Sequence, residues 1–181
     1  LTFWLAIYSI SVSAQDKPLY KDKFVEGEYL LLEKNYFQAL KNFLEAYQLD
    51  SSSANINYKV GLCYLMTFQK EKATDYFTKA VLSASKTYRE FEPNETQAPV
   101  ITYYYYAQTN HLNYQFDEAI SNFERYKTFL KPKQKDKFKD VDRQIEMCKN
   151  GIELVKNQEK VTITNLGDSV NSPFPDYSPV M

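Results

Sequence analysis

The sequence has little glycine, a single histidine and no excess of either charge. Its 181 residues include 4 glycines, 1 histidine and 2 cysteines, and 22 basic side chains stand against 23 acidic ones. One histidine cannot form a metal site or a catalytic dyad by itself, and Cys63 and Cys148 are not spaced as metal ligands. The balanced charge argues against nucleic-acid binding, which ordinarily needs a basic face. The sequence has no glycine-rich phosphate loop, GxSxG elbow or HExxH pattern, and it predicts no catalytic residue, metal or cofactor.

A pattern of small and aromatic residues recurs along the chain at a fixed spacing. The segment NYFQALKNFLEA at residues 35–46 is echoed by KEKATDYFTKA at residues 70–80, so that Ala39 and Ala73 lie 34 positions apart. A fixed period of this length indicates stacked copies of one helix-pair unit. The expected repeat-packing positions are Gly27, Ala39, Phe43 and Ala46, then Gly61, Ala73, Phe77 and Ala80, and finally Ala107, Ala119 and Phe123.

The spacing predicts an all-α helical solenoid of about three helix pairs with a long capping helix. The first pair is expected at residues 20–34 and 36–49, the second between residues 54 and 88, and the third from residue 100. From Phe138 to Val155 apolar residues recur every three or four positions, which is typical of a helix that covers the end of such a stack. Cys148 lies on this stripe and Cys63 lies within the second pair. We therefore expect both to be buried, with a disulfide between them as the alternative.

The spacing between copies is not constant. Ala73 and Ala119 lie 46 positions apart, and the additional residues fall at 85–97. This segment, SKTYREFEPNETQ, is predicted to extend a helix to about Phe91 and then to form a loop through Pro93 and Asn94.

The two ends of the chain differ in character from the repeats between them. Residues 1–14, LTFWLAIYSISVSA, form an apolar run with a small-x-small end, which predicts a secretory signal peptide. A buried N-terminal helix is the alternative. Residues 18–157 are expected to form the repeat domain. From residue 160 the pattern alternates and then becomes rich in proline, so residues 160–181 predict the first strand and loop of a truncated β domain.

The repeated glycine, alanine and phenylalanine positions resemble the tetratricopeptide repeat. The resemblance rests on Gly27, Ala39, Phe43 and Ala46 and on their counterparts in the second copy. The chain departs from the repeat pattern in lacking the tryptophan of the first helix. It has Ser51 where the pattern usually has a helix-ending proline. The resemblance implies an array of helix pairs whose first helices line a concave groove.

The junction VTITNLGDSVNSPFPDYSPV at residues 161–180 resembles that of OmpA-family envelope proteins of Bacteroidetes. In that family a signal peptide precedes tetratricopeptide repeats, a β-propeller and a peptidoglycan-binding OmpA-like domain. The resemblance implies a periplasmic, outer-membrane-associated protein without a membrane-spanning segment in its mature chain. It also implies a link to type IX secretion or gliding, with other envelope proteins, peptide segments or peptidoglycan as partners.

Residues on the first helices are the candidates for partner binding. Most are aromatic or aliphatic, which favours burial of a partner's apolar side chains, while tyrosine hydroxyls and amides fix its orientation. The candidates are Phe24, Glu28 and Leu31, then Asn55, Tyr58, Leu62 and Leu65, and finally Ile101, Tyr104, Tyr105, Gln108 and His111. In the alternative interpretation several of these rings only pack between units.

These patterns together predict a non-enzymatic scaffold that holds envelope proteins through its groove. One alternative is the N-terminal interaction domain of a propeller-containing enzyme, such as a serine peptidase whose catalytic domain is missing here. Another is a cytoplasmic co-chaperone, which requires that residues 1–14 are retained in the mature protein.

Overall fold

The computed structural model describes residues 16–157, which fold as a stack of helices with one short parallel pair of strands. The predicted signal peptide and the predicted start of a β domain lie outside the described residues. The helices are α1 (Asp16–Leu32), α2 (Tyr36–Leu49), α3 (Ala54–Leu65), α4 (Ala73–Ala80), α5 (Thr102–Leu112), α6 (Phe116–Lys127) and α7 (Lys135–Lys156), and the strands are β1 (Ala84–Ser85) and β2 (Ala98–Pro99). Single 3₁₀ turns at Lys70–Lys72 and Val81–Ser83 flank α4.

The helices pack as three successive pairs. Helices α1 and α2, α3 and α4, and α5 and α6 form the pairs, and the second helix of each contacts the first helix of the next. Helix α7 packs on α6 at the end of the stack. The predicted all-α solenoid of three pairs with a long final helix is confirmed. Helix α1 begins at Asp16, earlier than predicted, because Pro18 lies in its first turn, where a proline costs no helical hydrogen bond.

The helices of a pair approach closely where a glycine faces a phenylalanine. A Cβ atom on Gly27 would lie 2.6 Å from Cε1 of Phe43, and one on Gly61 would lie 3.1 Å from Cδ1 and Cε1 of Phe77. The small residue lets the two backbones approach while the ring fills the space between them. The structure places all eleven of the predicted repeat-packing residues in its buried interior.

The turn between the helices of a pair recurs with the same backbone conformation in two units. Lys34 in the first unit and Tyr114 in the third both adopt the left-handed conformation, with φ of 59° and 60°. The amides of Asn35 and Gln115 that follow donate to carbonyls five residues earlier, over 2.8 and 2.9 Å. The bond from Asn35 satisfies the Leu30 carbonyl at the end of α1, and the bond from Gln115 is a second one to the Asn110 carbonyl, which also accepts from the amide of Asn113.

The prediction that a helix extends to about Phe91 is wrong. Helix α4 ends at Ala80, and after one 3₁₀ turn Ala84 is extended, with ψ of 129°. The Oγ atom of Ser85 then accepts a hydrogen bond from the amide of Thr87, a local bond that competes with helical hydrogen bonding. Strand β1 pairs in parallel with β2, so that Ala84 lies opposite Ala98. We call residues 86–97, which lie between the two strands, the insert.

Candidate protein-interaction surface

Helix α3 lies at the centre of the stack and is buried almost all round. Between Ala54 and Leu65 every residue except Leu62 is buried, including Lys59. Helices α2 and α4 cover two of its sides. A helix with polar residues can be buried in this way only if something also covers its polar side.

The insert is the segment that covers this side of α3. The amide of Ala54 donates to the carbonyl oxygen of Thr96 over 2.9 Å, and the Tyr88 hydroxyl donates to Oδ1 of Asn55 over 3.2 Å. The insert also reaches α1, because the Phe91 side chain shares a cavity of about 410 Å³ with Glu28 and its neighbours on α1. The insert therefore bonds to the first helix of unit two and lies beside the first helix of unit one. We call this surface, formed by Glu28, Asn55 and Lys59, the α1/α3 face.

The Glu95 carboxylate fixes the conformation of the insert. Its Oε1 accepts from the amide of Gln97 over 2.9 Å and its Oε2 from the amide of Arg89 over 3.1 Å. The hydrogen bond from Gln97 holds the pKa of Glu95 below its ordinary value, with the Arg89 amide and charge acting in the same direction. An ionised carboxylate thus joins the two ends of the insert.

A buried ion pair lies beneath the insert. Nζ of Lys59 is 2.6 Å from Oε1 of Glu28, and the two side chains are 3% and 6% exposed. Burial raises the pKa of Glu28 above its ordinary value, because the loss of hydration outweighs the attraction of Lys59. Lys59 is not among the candidate residues predicted from the sequence. The signal was that Lys59 is the sole charged residue between Ala54 and Leu65, so that burial of this helix required a partner for it.

In units one and two the structure buries most of the predicted groove residues. The rings of Phe24 and Phe43 lie edge to face with their centroids 5.9 Å apart, and Phe24 is fully buried. Asn55 and Tyr58 are also buried. An open groove at these three residues is therefore a wrong expectation, because the core covers Phe24 and the insert bonds to Asn55. Leu31 and Leu62 are half-buried against the core.

In unit three the predicted tyrosines contact other parts of the same chain. The Tyr104 hydroxyl donates to Oδ2 of Asp140 on α7 over 2.6 Å. Burial is the largest cause of the raised pKa of Tyr104, followed by this carboxylate. The rings of Tyr105 and Phe77 of unit two stack with their centroids 6.1 Å apart. Ile101 packs both against the buried residues of units one and two and against those of unit three and α7. For Tyr104 and Tyr105 the alternative interpretation, packing between elements, describes the structure.

One open cavity brings together three of the predicted residues. Leu65, Gln108 and His111 line a cavity of about 380 Å³ between α3, α5 and α7. The remaining lining residues are Met66, Lys70, Leu112, Gln144 and Met147. The side chains of Met66, Leu112 and Met147 are 41–52% exposed. We call it the α3/α5/α7 cavity, and it is a largely apolar surface with the polar side chains of Gln108, His111, Gln144 and Lys70 around it.

The two cysteines do not form a disulfide. Both are free and buried, as the helical pattern predicted, and the alternative of a Cys63–Cys148 bridge is wrong in this structure. Burial raises the pKa of the Cys63 thiol to about 12 and also raises the pKa of Cys148. Sγ of Cys148 lies 3.4 Å from Nδ1 of His111, beside the α3/α5/α7 cavity. Neither thiol is exposed for reaction.

Within residues 16–157, no three His, Cys, Asp or Glu side chains are grouped so that they could hold a metal ion. No helix in the same range is both long and apolar enough to span a bilayer.

Comparison with known proteins identifies a fold for this chain but does not assign it to a family. No family model matches the chain, and no curated protein matches it. Among solved structures, the chain is similar to the type III secretion chaperone SycD of Yersinia enterocolitica, determined in complex with a peptide of the translocator YopD. The identity is 19%, the TM-score is 0.52, and the match covers 78% of this chain and 97% of that one. At this identity the likeness concerns the fold alone, a tetratricopeptide-like array of helices.

Proposed function

We propose that this chain is a non-enzymatic interaction module that binds a segment of a partner protein along its first helices. The observation that carries the proposal is that the α1/α3 face already holds a non-helical segment, the chain's own insert. That segment is held by a backbone bond at Ala54 and a side-chain bond at Asn55. A structurally similar protein, SycD, was solved with a peptide bound, which supports the same class of activity.

On the first helices, the site at which a partner would bind is the α3/α5/α7 cavity, which is separate from the α1/α3 face. Its exposed Met66, Leu112 and Met147 side chains can bury a partner's apolar group, and the unbranched thioether chains adapt to different shapes. Gln108 and His111 at the edge provide hydrogen-bonding groups that fix orientation. Each apolar anchor that is fully buried contributes about 1.5–3 kcal/mol before the cost of ordering the partner.

We place this module in the bacterial envelope. Residues 1–14 support export, and residues 161–180 support an OmpA-family protein that continues with a β-propeller and an OmpA-like domain. The partner would then be another envelope protein, and the context type IX secretion or peptidoglycan-linked assembly. Export predicts that the mature protein begins at Gln15, which N-terminal sequencing of the protein purified from its native host would test. A mature chain that retains residues 1–14 contradicts export.

Site-specific crosslinking in the native host tests the binding surface. A photo-crosslinking amino acid is placed at Met66 or Met147 in the cavity, and at Lys41, exposed on α2, as the control. We expect one partner, identified by mass spectrometry, to be joined to both cavity positions and not to the control. Equal crosslinking at all three positions, or none at the cavity, would refute the proposal.

A further inference from the structure

We propose that the insert occupies the α1/α3 face as a displaceable cis ligand, so that this face binds a partner peptide only when the insert leaves. This inference rests on the proposed function, since it names a second site along the same first helices and the way in which it is closed. Four observations carry it.

The helical stack is complete without the insert. Helix α4 of unit two packs directly against α5 of unit three, so the insert does not separate the units. Strands β1 and β2 lie side by side, with Ala84 opposite Ala98, and bring the two ends of the insert together. The insert is therefore a loop whose two ends lie close together, outside the stack of helices. Its release from the α1/α3 face leaves the contacts between helix pairs in place.

The insert is held to the face by few bonds. Its hydrogen bonds to α3 are the one from the Ala54 amide to Thr96 and the one from the Tyr88 hydroxyl to Asn55. The Phe91 side chain is half exposed, and its backbone has a φ of 60°, a conformation that a bulky residue rarely adopts. The Glu95 bonds lie within the insert and would move with it.

The hydrogen-bonding capacity of the face is not fully used by the insert. Oδ1 of Asn55 accepts from Tyr88, but Nδ2 of Asn55 is buried without a hydrogen-bond partner among residues 16–157. A buried amide of this kind favours a ligand that supplies an acceptor. The partner that fits is an irregular peptide with an aromatic hydroxyl for Asn55 Oδ1, a carbonyl for Nδ2 and a second carbonyl for the Ala54 amide.

The fourth observation is the charge beneath the insert. Glu28 and Lys59 are charged side chains that water solvates well once the insert leaves. A face of this composition can exist in both a covered and an uncovered state, unlike the apolar interior of the helix pairs.

The test uses the insert's own sequence as the probe. A fluorescein-labelled peptide with residues 85–98 is titrated against the full chain and against a variant in which a four-residue Gly-Ser linker replaces the insert. We expect the variant to bind the peptide at least about tenfold more tightly, because it lacks the competing cis segment. A scrambled peptide of the same composition is the control. Equal binding by both proteins, or no binding by a folded variant, overturns the proposal.

If the linker variant does not fold, hydrogen exchange on the unmodified protein tests whether the insert leaves the α1/α3 face without global unfolding. The Ala54 amide, which donates to Thr96, should exchange at least about 100-fold faster than the Val60 amide at the centre of α3, because release of the insert frees it without unfolding the stack. Equal exchange rates would mean that the insert leaves only on global unfolding and would refute displacement. Met66 and Met147 lie outside this face, so the crosslinking experiment tests the proposed function independently of whether the insert is displaced.

Discussion

Removal of one partner from the buried ion pair should destabilise the protein strongly. Lys59→Met leaves the Glu28 carboxylate, 6% exposed, without its cation at 2.6 Å. Breaking a buried pair in this way costs about 3–5 kcal/mol, and we expect about 3 kcal/mol because Glu28 can take up a proton. The matched control is Lys23→Met, which breaks a Lys–Glu pair of nearly the same length, 2.7 Å, between side chains that are 26% and 41% exposed. Little change is expected for the control, because water screens an exposed pair.

Urea unfolding followed by circular dichroism gives the free energy of unfolding of both variants. The dependence of this free energy on pH is an independent check. The pKa of Glu28 is raised in the folded state, so its ionisation opposes folding, and stability falls as pH rises through the folded pKa. The cost of Lys59→Met should therefore be smaller at pH 4 than at pH 7. The double variant Glu28→Leu/Lys59→Met should recover most of the loss, because no buried charge remains. Equal effects of Lys59→Met and Lys23→Met would refute the claim that the Glu28–Lys59 pair is shielded from water.

Two further predictions concern the helix pairs and the insert. Gly27→Ala should destabilise the protein by about 1–2 kcal/mol in urea unfolding, since the new Cβ would lie 2.6–2.8 Å from the fully buried Phe43 ring. Gly61→Ala, at 3.1–3.2 Å from Phe77, should be near neutral because helix propensity offsets the smaller clash, and a reversed order would contradict the packing argument. Glu95→Gln should cost about 1–2 kcal/mol at pH 7, because the ionised carboxylate accepts two backbone hydrogen bonds. Since the pKa of Glu95 is lowered on folding, this difference should shrink as pH falls below the ordinary value of 4.5, and a difference independent of pH would disprove the role of the charge.

The parts of the fold that follow from local pattern could be predicted from the sequence. The fixed period identified Gly27, Phe43 and their counterparts as repeat-packing positions, because a repeated unit repeats its internal contacts. That each glycine faces the phenylalanine of its own pair is a finding of the structure. The apolar stripe predicted α7, which extends from Lys135 to Lys156. In both cases the signal is a regular spacing of residue types, between the helices of successive units or along a single helix.

The insert and the ion pair could not be predicted in the same way. The length of the insert followed from the change in spacing, but its path depends on the contact of Tyr88 with Asn55, 33 residues earlier in the chain. Nothing in the local sequence of either residue specifies that partner. Glu28 was expected to face a bound protein, and it does lie on the α1/α3 face, but Lys59 and the insert complete its surroundings. Counting along the repeat identifies the face of a helix and not what covers it.

The composition of the covered face bears on whether it can open. Exposure of the Phe24 and Phe43 side chains would cost about 1.5–3 kcal/mol each, since water does not compensate for lost apolar burial. Exposure of Glu28, Lys59 and Asn55 differs because each regains hydration, and the desolvation that raises the pKa of Glu28 is removed. The cost of opening is then set chiefly by Tyr88, Phe91 and the Ala54 bond. A helix packed on this surface by apolar contacts alone would not separate from it without unfolding, whereas a loop held over charged groups can.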